Sequence, residues 1–488
     1  MTAQLLTPLR IERMALEHGM RVTPYVSGRG PDGHAPRTDA PTVIAGVAGA
    51  LAPQVRPGDL VVADRLHTDG VDVALPAAPL LAGALRRAGL TVHVGTIESS
   101  DHVVTGDERH RLAAAGGIAV DTESAYLAKG LEPRQLAVVR AVVDTADDPL
   151  VHPGTLRRGI TALRSLRRAA PVLQEWIDAC ARRTILRAEP QSFCAGVERA
   201  IEIVERALAQ HGPPVYVRRQ IVHNSHVVAE LEQRGAIFVQ ELDEVPEGAT
   251  AVLAAHGVAP SVRVQAEERR LRIIDATCPL VAKVHQEVRR FSTAGRTVFL
   301  IGHTEHEEVV GTRGEAPDNV VVVENVDDAR TVEVPDPHHV SYVMQTTLSV
   351  EEADVIAAEL RTRFPALQAP RRDDICYATS NRQHAVREIA ADSDLVLVVG
   401  SANSSNSVRL VEVAAAAGTA AHLVEDASDI HLDWLRDVRT VGLSAGASAP
   451  SVLVDQLIDA LGALGDLEVT RRGGVTENIH FTLPREVV

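Results

Sequence analysis

Three of the four cysteines in this 488-residue chain occupy matching positions in the sequence. Cys194, Cys278 and Cys376 stand in FCAGVERAI, DATCPLVAKVH and DDICYATSNRQ, each between a strand-like run and a helical pattern. A helix N-terminus offers free N–H groups and a favourable dipole, and both stabilise a thiolate. Thiolates are the ligands that soft metals and iron–sulfur clusters prefer. The three cysteines are therefore candidate metal ligands.

Two alternatives bear on that interpretation. A free cysteine often serves as a small buried apolar side chain, and this role suits Cys180, which stands in the helical pattern IDACARR. A structural zinc site normally uses four protein ligands with Cys-x-x-Cys pairs, and the sequence has no such pair. Three thiolates far apart in sequence instead fit an iron–sulfur cluster with one iron left open for a substrate. Four cysteines in so long a chain do not form a disulfide scaffold.

Histidines, serines and an asparagine follow other strand-like runs in comparable positions. They are His223, His226, His256, His303, His306, Ser404, Ser405, Asn406 and Ser448. Helix N-termini with small hydroxylated residues bind anions such as phosphate, and histidine adds charge-assisted donors. The alternative for any single histidine is an ordinary core or surface residue. Their shared position after strands favours an anion site.

An acidic residue and a threonine are candidates for proton transfer. Glu308 lies two residues after His306 in an apolar, glycine-flanked turn, where a carboxyl could deliver protons to a reductive reaction. We expect Glu305 and Glu307 to be solvated surface carboxylates. Thr346 follows the strand-like run VSYVMQ, and its hydroxyl could relay a proton or cap the next helix.

Charge and hydropathy exclude several classes of partner. The chain has 49 Lys and Arg against 65 Asp and Glu, a net charge of −16, which argues against nucleic-acid binding and against an anionic membrane partner. No apolar run of about 18 residues predicts a transmembrane helix. The start MTAQLLTPLRIERM lacks the pattern of a signal peptide, so we expect a cytoplasmic protein.

The secondary structure that must position these candidate residues is predicted to alternate between strands and helices. Strand-like runs include PTVIAG, DLVVAD, TAVLAAHG, RTVFLIGH and DLVLVVG. Amphipathic segments separate them, which predicts an α/β protein with parallel sheets covered by helices. The long helical pattern TLRRGITALRSLRRAAPVLQEWIDACARR has no strand signal and marks a boundary. We therefore expect one domain at 1–183 and a larger unit at 184–488, in which the matching cysteine contexts predict three similar α/β subdomains.

The larger unit resembles a known enzyme family through motifs that occur in order along residues 184–488. They are FCAGVERAI, IVHNSHVV, AAHGV, DATCPLV, IGHTEHEEVVGT, QTTLSV, DDICYATSNRQ, SSNSVRL and AGASAPS. Together they resemble the LytB family of 4-hydroxy-3-methylbut-2-enyl diphosphate reductases. Those enzymes catalyse the last step of the methylerythritol phosphate route to isoprenoids. They convert their substrate by reductive dehydroxylation to isopentenyl and dimethylallyl diphosphates.

This resemblance implies a 4Fe–4S cluster held by Cys194, Cys278 and Cys376, at the centre of three pseudo-symmetric α/β subdomains. The open fourth iron would bind the substrate hydroxyl, and ferredoxin or flavodoxin would supply two electrons. Glu308 is implied as the proton donor, with Thr346 positioning the hydroxyl. The residues implied to hold the diphosphate are His223, His256, His306, Ser404, Ser405, Asn406 and Ser448. His306 is implied in catalysis as well.

The first domain resembles the nucleoside phosphorylase/nucleosidase family, an α/β fold. The matching segments are GVAGALAPQVRPGDLVVAD, VGTIESSDHVV, AVDTESAYLA and AVVRAVVDTADDP. The resemblance implies that Glu123 holds a ribose and that Asp144 protonates a purine leaving group. We find no clear acidic residue after the first strand to activate water. Two functions stay open for this domain: binding or cleavage of a nucleoside, or a degenerate role in stability or regulation. A metal-free diphosphate-binding protein is the third alternative for the whole chain.

Overall fold

The computed structural model describes residues 3–36, 39–146 and 153–488 of the chain. Its internal contacts divide it into two compact units. Unit 1 comprises Met1–Ile185, Val424–Val441 and Asp455–Thr470; unit 2 comprises Leu186–Leu423, Gly442–Val454 and Arg471–Val488. The mixed α/β class expected from the sequence is confirmed. The domain boundary after residue 183 stays a prediction, and two later segments of the chain are assigned to unit 1.

The described residues of unit 1 that precede residue 180 form an eight-stranded sheet and five α-helices. The strands are β1 Gln4–Thr7, β2 Tyr25–Val26, β3 Thr42–Ala50, β4 Leu60–Thr68, β5 Val71–Ala74, β6 Val92–Ser99, β7 Gly117–Asp121 and β8 Leu136–Asp144. The helices are α1 Arg10–Leu16, α2 Ala78–Arg87, α3 Gly106–Ala114, α4 Ser124–Ala128 and α5 Thr155–Ala179. Strands β3, β7, β6, β4 and β8 pair in that order, and β8 pairs again with β3, so the pairing closes into a ring.

This sheet is mixed, which corrects the expectation of parallel sheets throughout. Strand β4 pairs antiparallel with both β5 and β8, and β3 pairs antiparallel with β7. The β4–β5 connection is the two-residue turn Asp69–Gly70, in which Gly70 has a φ of 82°. A two-residue Asp-Gly connection is typical of an antiparallel hairpin, and the glycine provides the positive φ that the turn requires. The rule that every strand is followed by a helix therefore fails here.

Helix α5 confirms the long helical pattern before the second domain. Its buried residues Ala162, Leu166, Ala169, Leu173 and Trp176 recur every three or four positions and form one apolar stripe. The helix ends at Cys180, which is buried and whose thiol donates to the carbonyl of Trp176 at 3.3 Å. Burial raises the pKa of this thiol, as expected for a cysteine that serves as an apolar side chain.

The strands from β9 onward form three further sheets. They are β9 Arg183–Ala188, β10 Val215–Arg218, β11 Ala236–Val239, β12 Thr250–Leu253, β13 Arg272–Asp275, β14 Thr297–Ile301, β15 Val320–Val323, β16 Val340–Met344, β17 Leu395–Val399, β18 Ala420–Val424, β19 Thr440–Ala445 and β20 Leu467–Arg472. Their orders are β11-β10-β12-β13, β15-β14-β16 and β18-β17-β19-β9-β20. The first two sheets are entirely parallel.

Helices follow most of these strands, as the parallel pairing requires. They are α6 Ala195–His211, α7 Ser225–Gln233, α8 Pro260–Glu268, α9 Pro279–Thr293, α10 Glu307–Arg313, α11 Val326–Thr331, α12 Val350–Arg363, α13 Tyr377–Ala390, α14 Ser405–Ala416 and α15 Ser451–Gly462. Short 3₁₀ helices occur at Glu17–Gly19, Leu242–Glu244, Ala427–Asp429, Leu432–Leu435 and Arg485–Val487. No helix in the described part of the chain is long and apolar enough to span a bilayer.

Candidate active site

The three cysteines of unit 2 lie at the first positions of three helices and face one cavity. Cys194, Cys278 and Cys376 are the N-cap residues of α6, α9 and α13. All three line a cavity of about 110 Å³. A Cβ added to Gly196 would lie 2.8 Å from Sγ of Cys278 and 3.7 Å from Sγ of Cys194, so these two sulfurs converge on a position where only glycine fits.

The backbone ties each cysteine to another loop of the same cavity. The N–H of Cys278 donates to the carbonyl of Ala255 at 2.9 Å, next to His256 in sequence. The N–H of Cys376 donates to the carbonyl of Thr346 at 3.1 Å. The N–H of Cys194 donates to the carbonyl of Ala447 at 3.2 Å, one residue before Ser448. The sulfur positions are thereby coupled to the loops that carry the polar residues.

Burial shapes the chemistry of the thiols. It raises the pKa of Cys278 to about 12 and that of Cys376 to about 11. The N–H and the hydroxyl of Thr379 lie 3.4 Å and 3.1 Å from Sγ of Cys376 and act in the opposite direction. Burial therefore favours the protonated form of the metal-free Cys278 and Cys376 thiols, and a metal that binds these two sulfurs must release their protons.

Three histidines from separate loops form a second group in the cavity. The rings of His223 and His256 stack, with centroids 4.0 Å apart and planes inclined by 20°. The ring of His306 meets them edge-on, at 5.8 Å and 6.0 Å. Burial lowers the pKa of His223 to about 2 and that of His306 to about 4. An anionic ligand would favour the protonated forms, so the group can gain positive charge when an anion binds.

Glu307 is part of this group, which corrects the expectation that it is a solvated surface residue. Its carboxylate lies 3.2 Å from Nδ1 of His256 and 3.6 Å from Nη1 of Arg219. Burial alone would raise its pKa, but the contact with His256 and the charges of His256, His223 and Arg219 lower the pKa of Glu307 to about 2. The two glutamates after His306 are the first residues of α10, and consecutive helical side chains point in different directions. The sequence does not show which carboxylate meets the histidine.

Glu308 is 2% exposed, and in the described parts of the chain its carboxyl is held by one residue, Thr346. The N–H of Thr346 donates to Oε1 at 2.7 Å, and the hydroxyl of Thr346 donates to Oε2 at 2.9 Å. Burial raises the pKa of Glu308, and these two hydrogen bonds act against that shift. No arginine or lysine forms an ion pair with Glu308 in the described part of the chain. Burial without a paired cation favours the protonated form of a carboxyl, and a group of this kind can deliver a proton into the cavity.

Hydroxyls and an amide complete the polar wall at the N-terminus of α14. Ser404 is the N-cap, and its Oγ lies 3.2 Å from Oγ of Ser448. The hydroxyl of Ser448 donates to the carbonyl of His223 at 3.0 Å. Oδ1 of Asn406 accepts from the N–H of Ala447 at 3.0 Å. Ser405 also lines the cavity, whereas His226 and His303 lie outside its lining. A helix N-terminus with these donors is suited to an anion.

Comparison with known proteins agrees with this arrangement. The sequence profile of the family described as "LytB protein" matches residues 185–462. The chain belongs to the LytB family. The resemblance expected from the cysteine, histidine and serine motifs of residues 184–488 is thereby confirmed.

Several relatives of this LytB chain are named 4-hydroxy-3-methylbut-2-enyl diphosphate reductase. That of Acidothermus cellulolyticus is 57% identical over 307 residues, which is 63% of this chain and 90% of the relative. That of Aromatoleum aromaticum is 55% identical over 305 residues, which is 62% of this chain and 98% of the relative. The solved structure of the Plasmodium falciparum reductase matches with a TM-score of 0.60 at 36% identity, covering 63% of this chain and 97% of that chain.

Solved nucleosidases match more weakly. The 5'-methylthioadenosine/S-adenosyl homocysteine nucleosidase of Helicobacter pylori is 15% identical, with a TM-score of 0.29, and covers 36% of this chain and 96% of that chain. A likeness at that level carries no inference about activity. The nucleosidase resemblance of residues 1–183 therefore adds no functional residue beyond those read from the sequence.

Unit 1 has a cavity of its own, of about 360 Å³, and both residues expected there line it. Asp144 is buried and paired with Arg109, whose Nη2 lies 2.5 Å from Oδ2. Glu123 is 3.5 Å from Nη2 of the fully buried Arg140. A third carboxyl, Glu12, also lines the cavity, so the expectation that no acidic residue follows the first strand is wrong.

Glu12 follows β1, a four-residue strand that precedes the longer strand-like runs of the sequence. It lies in α1, directly after β1, and accepts from the N–H of Leu9 at 2.7 Å and of Val47 at 2.8 Å. Burial raises its pKa to about 7, although Arg140 lowers it. The short strand QLLT followed by a helical IER is the signal that could have found it.

Proposed function

We propose that unit 2 reduces 4-hydroxy-3-methylbut-2-enyl diphosphate to isopentenyl diphosphate and dimethylallyl diphosphate by reductive dehydroxylation, the last step of the methylerythritol phosphate route. One observation carries the proposal: three cysteine N-caps, three histidines and the buried carboxyl of Glu308 line a single cavity. The relatives named as this reductase share 55–57% of their residues with the matched region. The family is one of iron–sulfur enzymes, so we propose a 4Fe–4S cluster with three cysteine ligands and an open fourth iron.

The donor set fits that cluster. Three sulfur ligands from three helix N-termini match a soft iron centre, and the missing side chain of Gly196 leaves room beside two of them. Cys180 does not line the cavity, so no fourth thiolate from the described residues completes the set. When bound, the cluster supplies electrons and an iron that can bind the substrate hydroxyl.

The chain's own residues supply the remaining requirements. Removing a hydroxyl as water with two electrons consumes two protons, and the carboxyl of Glu308 can donate one of them. Thr346 holds that carboxyl through its hydroxyl and N–H and would position the substrate hydroxyl. The implied diphosphate ligands are His223, His256, His306, Ser404, Ser405, Asn406 and Ser448. Local donors must capture the anion because the net charge of −16 opposes it.

Anaerobic purification followed by an iron, sulfide and activity assay tests this proposal. We expect equal amounts of iron and acid-labile sulfide, near one cluster per chain, and conversion of the allylic diphosphate with a chemical reductant. Zinc without iron would overturn the cluster. Full activity of Cys194→Ser would instead favour the metal-free diphosphate-binding alternative. A ferredoxin or flavodoxin donor and a cytoplasmic location stay predictions from the sequence.

For unit 1 we propose a binding site for a small polar ligand of the nucleoside class. The observation that favours it is that Glu12, Glu123 and Asp144 line one cavity. Asp144 is already bound by Arg109, so delivery of a proton to a leaving base requires that pair to open. We therefore expect binding rather than rapid cleavage.

Calorimetry of the full chain with adenosine-type nucleosides tests the unit 1 site, with Glu123→Gln as the variant. Heat of binding that Glu123→Gln abolishes supports the site. No heat and no released base with any nucleoside would leave unit 1 a role in stability or regulation. Glu132→Gln, an exposed carboxylate of the same unit, is the matched control.

A further inference from the structure

Three helices begin at the cysteines of the cavity. On each of them, one cationic side chain contacts the loop that precedes a different cysteine. The cations are Arg199 on α6, Lys283 on α9 and Arg382 on α13. They stand five residues after Cys194 and Cys278 and six residues after Cys376. We call these three residues the linking cations.

Arg199 reaches from the helix of Cys194 to the loop that precedes Cys278. Its Nη1 donates to the carbonyls of Ala276 at 3.3 Å and Thr277 at 3.1 Å. Its Nε donates to the carbonyl of Thr482 at 2.8 Å. The two residues directly before Cys278 are thereby fixed to α6.

Lys283 reaches from the helix of Cys278 to the loop that precedes Cys376. Its Nζ donates to the carbonyls of Arg372 at 2.8 Å and Asp373 at 2.7 Å, and it lies 3.0 Å from Oδ1 of Asp374. Oδ2 of Asp374 accepts from the N–H of Met344 at 3.0 Å, at the end of β16. The loop is therefore held both by α9 and by the sheet.

Arg382 reaches from the helix of Cys376 back to the loop that precedes Cys194, which completes the cycle. Its Nε and Nη2 donate to the carbonyl of Ser192 at 3.1 Å and 2.8 Å, and Nη2 donates to that of Phe193 at 3.2 Å. The side chain is fully buried, and Nη1 lies 3.1 Å from Oε1 of Glu477. This guanidinium is thus positioned by both a carboxylate and the loop.

We infer that the linking cations position the three sulfurs for the cluster and place positive charge around it. The inference rests on the proposed function. Each cation binds the loop that precedes the cysteine of a different helix. Removing one cation should therefore make the sulfur of that other cysteine less firmly positioned. A cluster bound by thiolates is anionic, and nearby positive charge favours its reduced, more negative state. These residues act through the cysteines and are positioning residues.

Cadmium binding to the metal-free full-length protein tests the positioning without enzyme activity. Thiolate-to-cadmium absorption in the ultraviolet reports how well the three sulfurs converge. We expect Lys283→Met to weaken the affinity for Cd²⁺ by roughly tenfold or more. After cluster reconstitution, the reduction potential should fall because a positive charge is lost. Lys283→Arg should restore both values in large part.

Each helix provides a matched control in an arginine that is at least partly exposed and does not reach a cysteine loop. These are Arg206 on α6, Arg289 on α9 and Arg387 on α13, each paired with a glutamate. Their Met variants should bind Cd²⁺ as the unmodified chain does. Lys283 is the primary test because it is partly exposed, whereas Arg382 is buried and its variant must first be checked for folding by circular dichroism.

The outcomes separate this inference from the proposed function. If the unmodified chain binds Cd²⁺ with three thiolates but Lys283→Met matches the Arg289→Met control in both affinity and potential, the linking role is overturned. If the unmodified chain shows no three-thiolate binding, the cluster site itself is overturned, and the linking role with it. A selective loss in Lys283→Met, recovered in Lys283→Arg, supports the inference.

Discussion

The cavities of unit 1 and unit 2 both contain a buried glutamate whose pKa is raised. They differ in whether arginine side chains lie close to that glutamate. Glu12 of unit 1 lies close to Arg140, and Asp144 beside it is paired with Arg109. Among the residues that the structure describes, only Thr346 holds the carboxyl of Glu308 in unit 2, and no cation contacts it directly. In unit 1 the carboxylates and arginines compensate each other within the protein. In unit 2 burial instead favours protonation of Glu308, and a proton held there can take part in the reaction.

Substitution of a cysteine should give the largest difference between the two units. Cys278→Ser should lower the bound iron and the reductase turnover by at least about 100-fold, because a serine hydroxyl is a poor ligand for soft iron. Cys180→Ser in unit 1 should leave both unchanged, apart from a modest loss of stability. Iron analysis and a single-turnover assay on the two variants measure the contrast. Equal iron content in both would contradict the assignment.

Glu308 gives the next largest effect. Glu308→Gln should reduce turnover by roughly 10²- to 10⁴-fold, since proton delivery is lost while the hydrogen bonds from Thr346 are partly retained. Affinity for the diphosphate should change little, because the carboxyl does not belong to the diphosphate wall. Turnover and substrate binding are measured separately. A large loss of affinity with normal turnover would show that Glu308 binds rather than protonates.

Glu308 also leads us to expect a pH dependence of the turnover rate. The pKa of Glu308 is raised by burial, so the protonated form persists above the ordinary range of a glutamate. Turnover should therefore be retained below the raised pKa and fall as the pH rises through it. In Glu308→Gln this alkaline limb should vanish from the rate profile.

Glu307 should have a smaller and different effect. Glu307→Gln removes the ion pair with His256 at 3.2 Å, so we expect a roughly tenfold increase in KM with little change in kcat. The physical reason is that His256 loses the carboxylate that contacts Nδ1 of its ring and holds the ring in its orientation. Glu305→Gln is the neighbouring control. A decrease in KM would mean that repulsion between Glu307 and the diphosphate outweighs this support.

The smallest effect belongs to Glu12 in unit 1, and it is a stability effect. Its pKa is about 7 in the folded chain against 4.5 for an unperturbed glutamate, so the folded state binds more protons between these values. Folding stability contributed by this group is therefore present below about pH 4.5 and declines as the pH rises to 7, by up to about 3 kcal/mol. Glu12→Gln should flatten this dependence in urea unfolding of unit 1. Reductase turnover should not change.

The sequence allowed many residues that line the cavity of unit 2 to be predicted because they follow regular strands. A polar residue directly after a buried run lies at the carboxyl end of its strand, and the pattern located Cys278, His256 and Thr346 in this way. Glu307 was misjudged because consecutive helical side chains point in different directions, and only the folded helix shows which of Glu307 and Glu308 meets the histidine. The linking cations could not be found, since their partners are backbone carbonyls in distant segments.

Unit 1 was harder to predict for two physical reasons. Its sheet mixes parallel and antiparallel pairs, and the Asp69–Gly70 turn that signals the antiparallel hairpin was not used. The four-residue strand β1 is too short to stand out by its hydrophobic pattern, so the carboxyl of Glu12 after it was missed. Glu123 and Asp144 were expected only from the family resemblance of their segments, and in the structure each lies at or just after the end of a longer buried strand.

Gly196 offers a way to prevent metal binding at the three cysteines without unfolding the protein. Its backbone is ordinary helix, so an alanine there causes no conformational strain. The added methyl would instead meet Sγ of Cys278 at 2.8 Å, and rotation of that thiol away from the cavity is the simplest relief. A single methyl group would then act as a permanent blocking group inside an intact fold. Such a variant would be a stable apoprotein reference for every measurement that compares the chain with and without its metal.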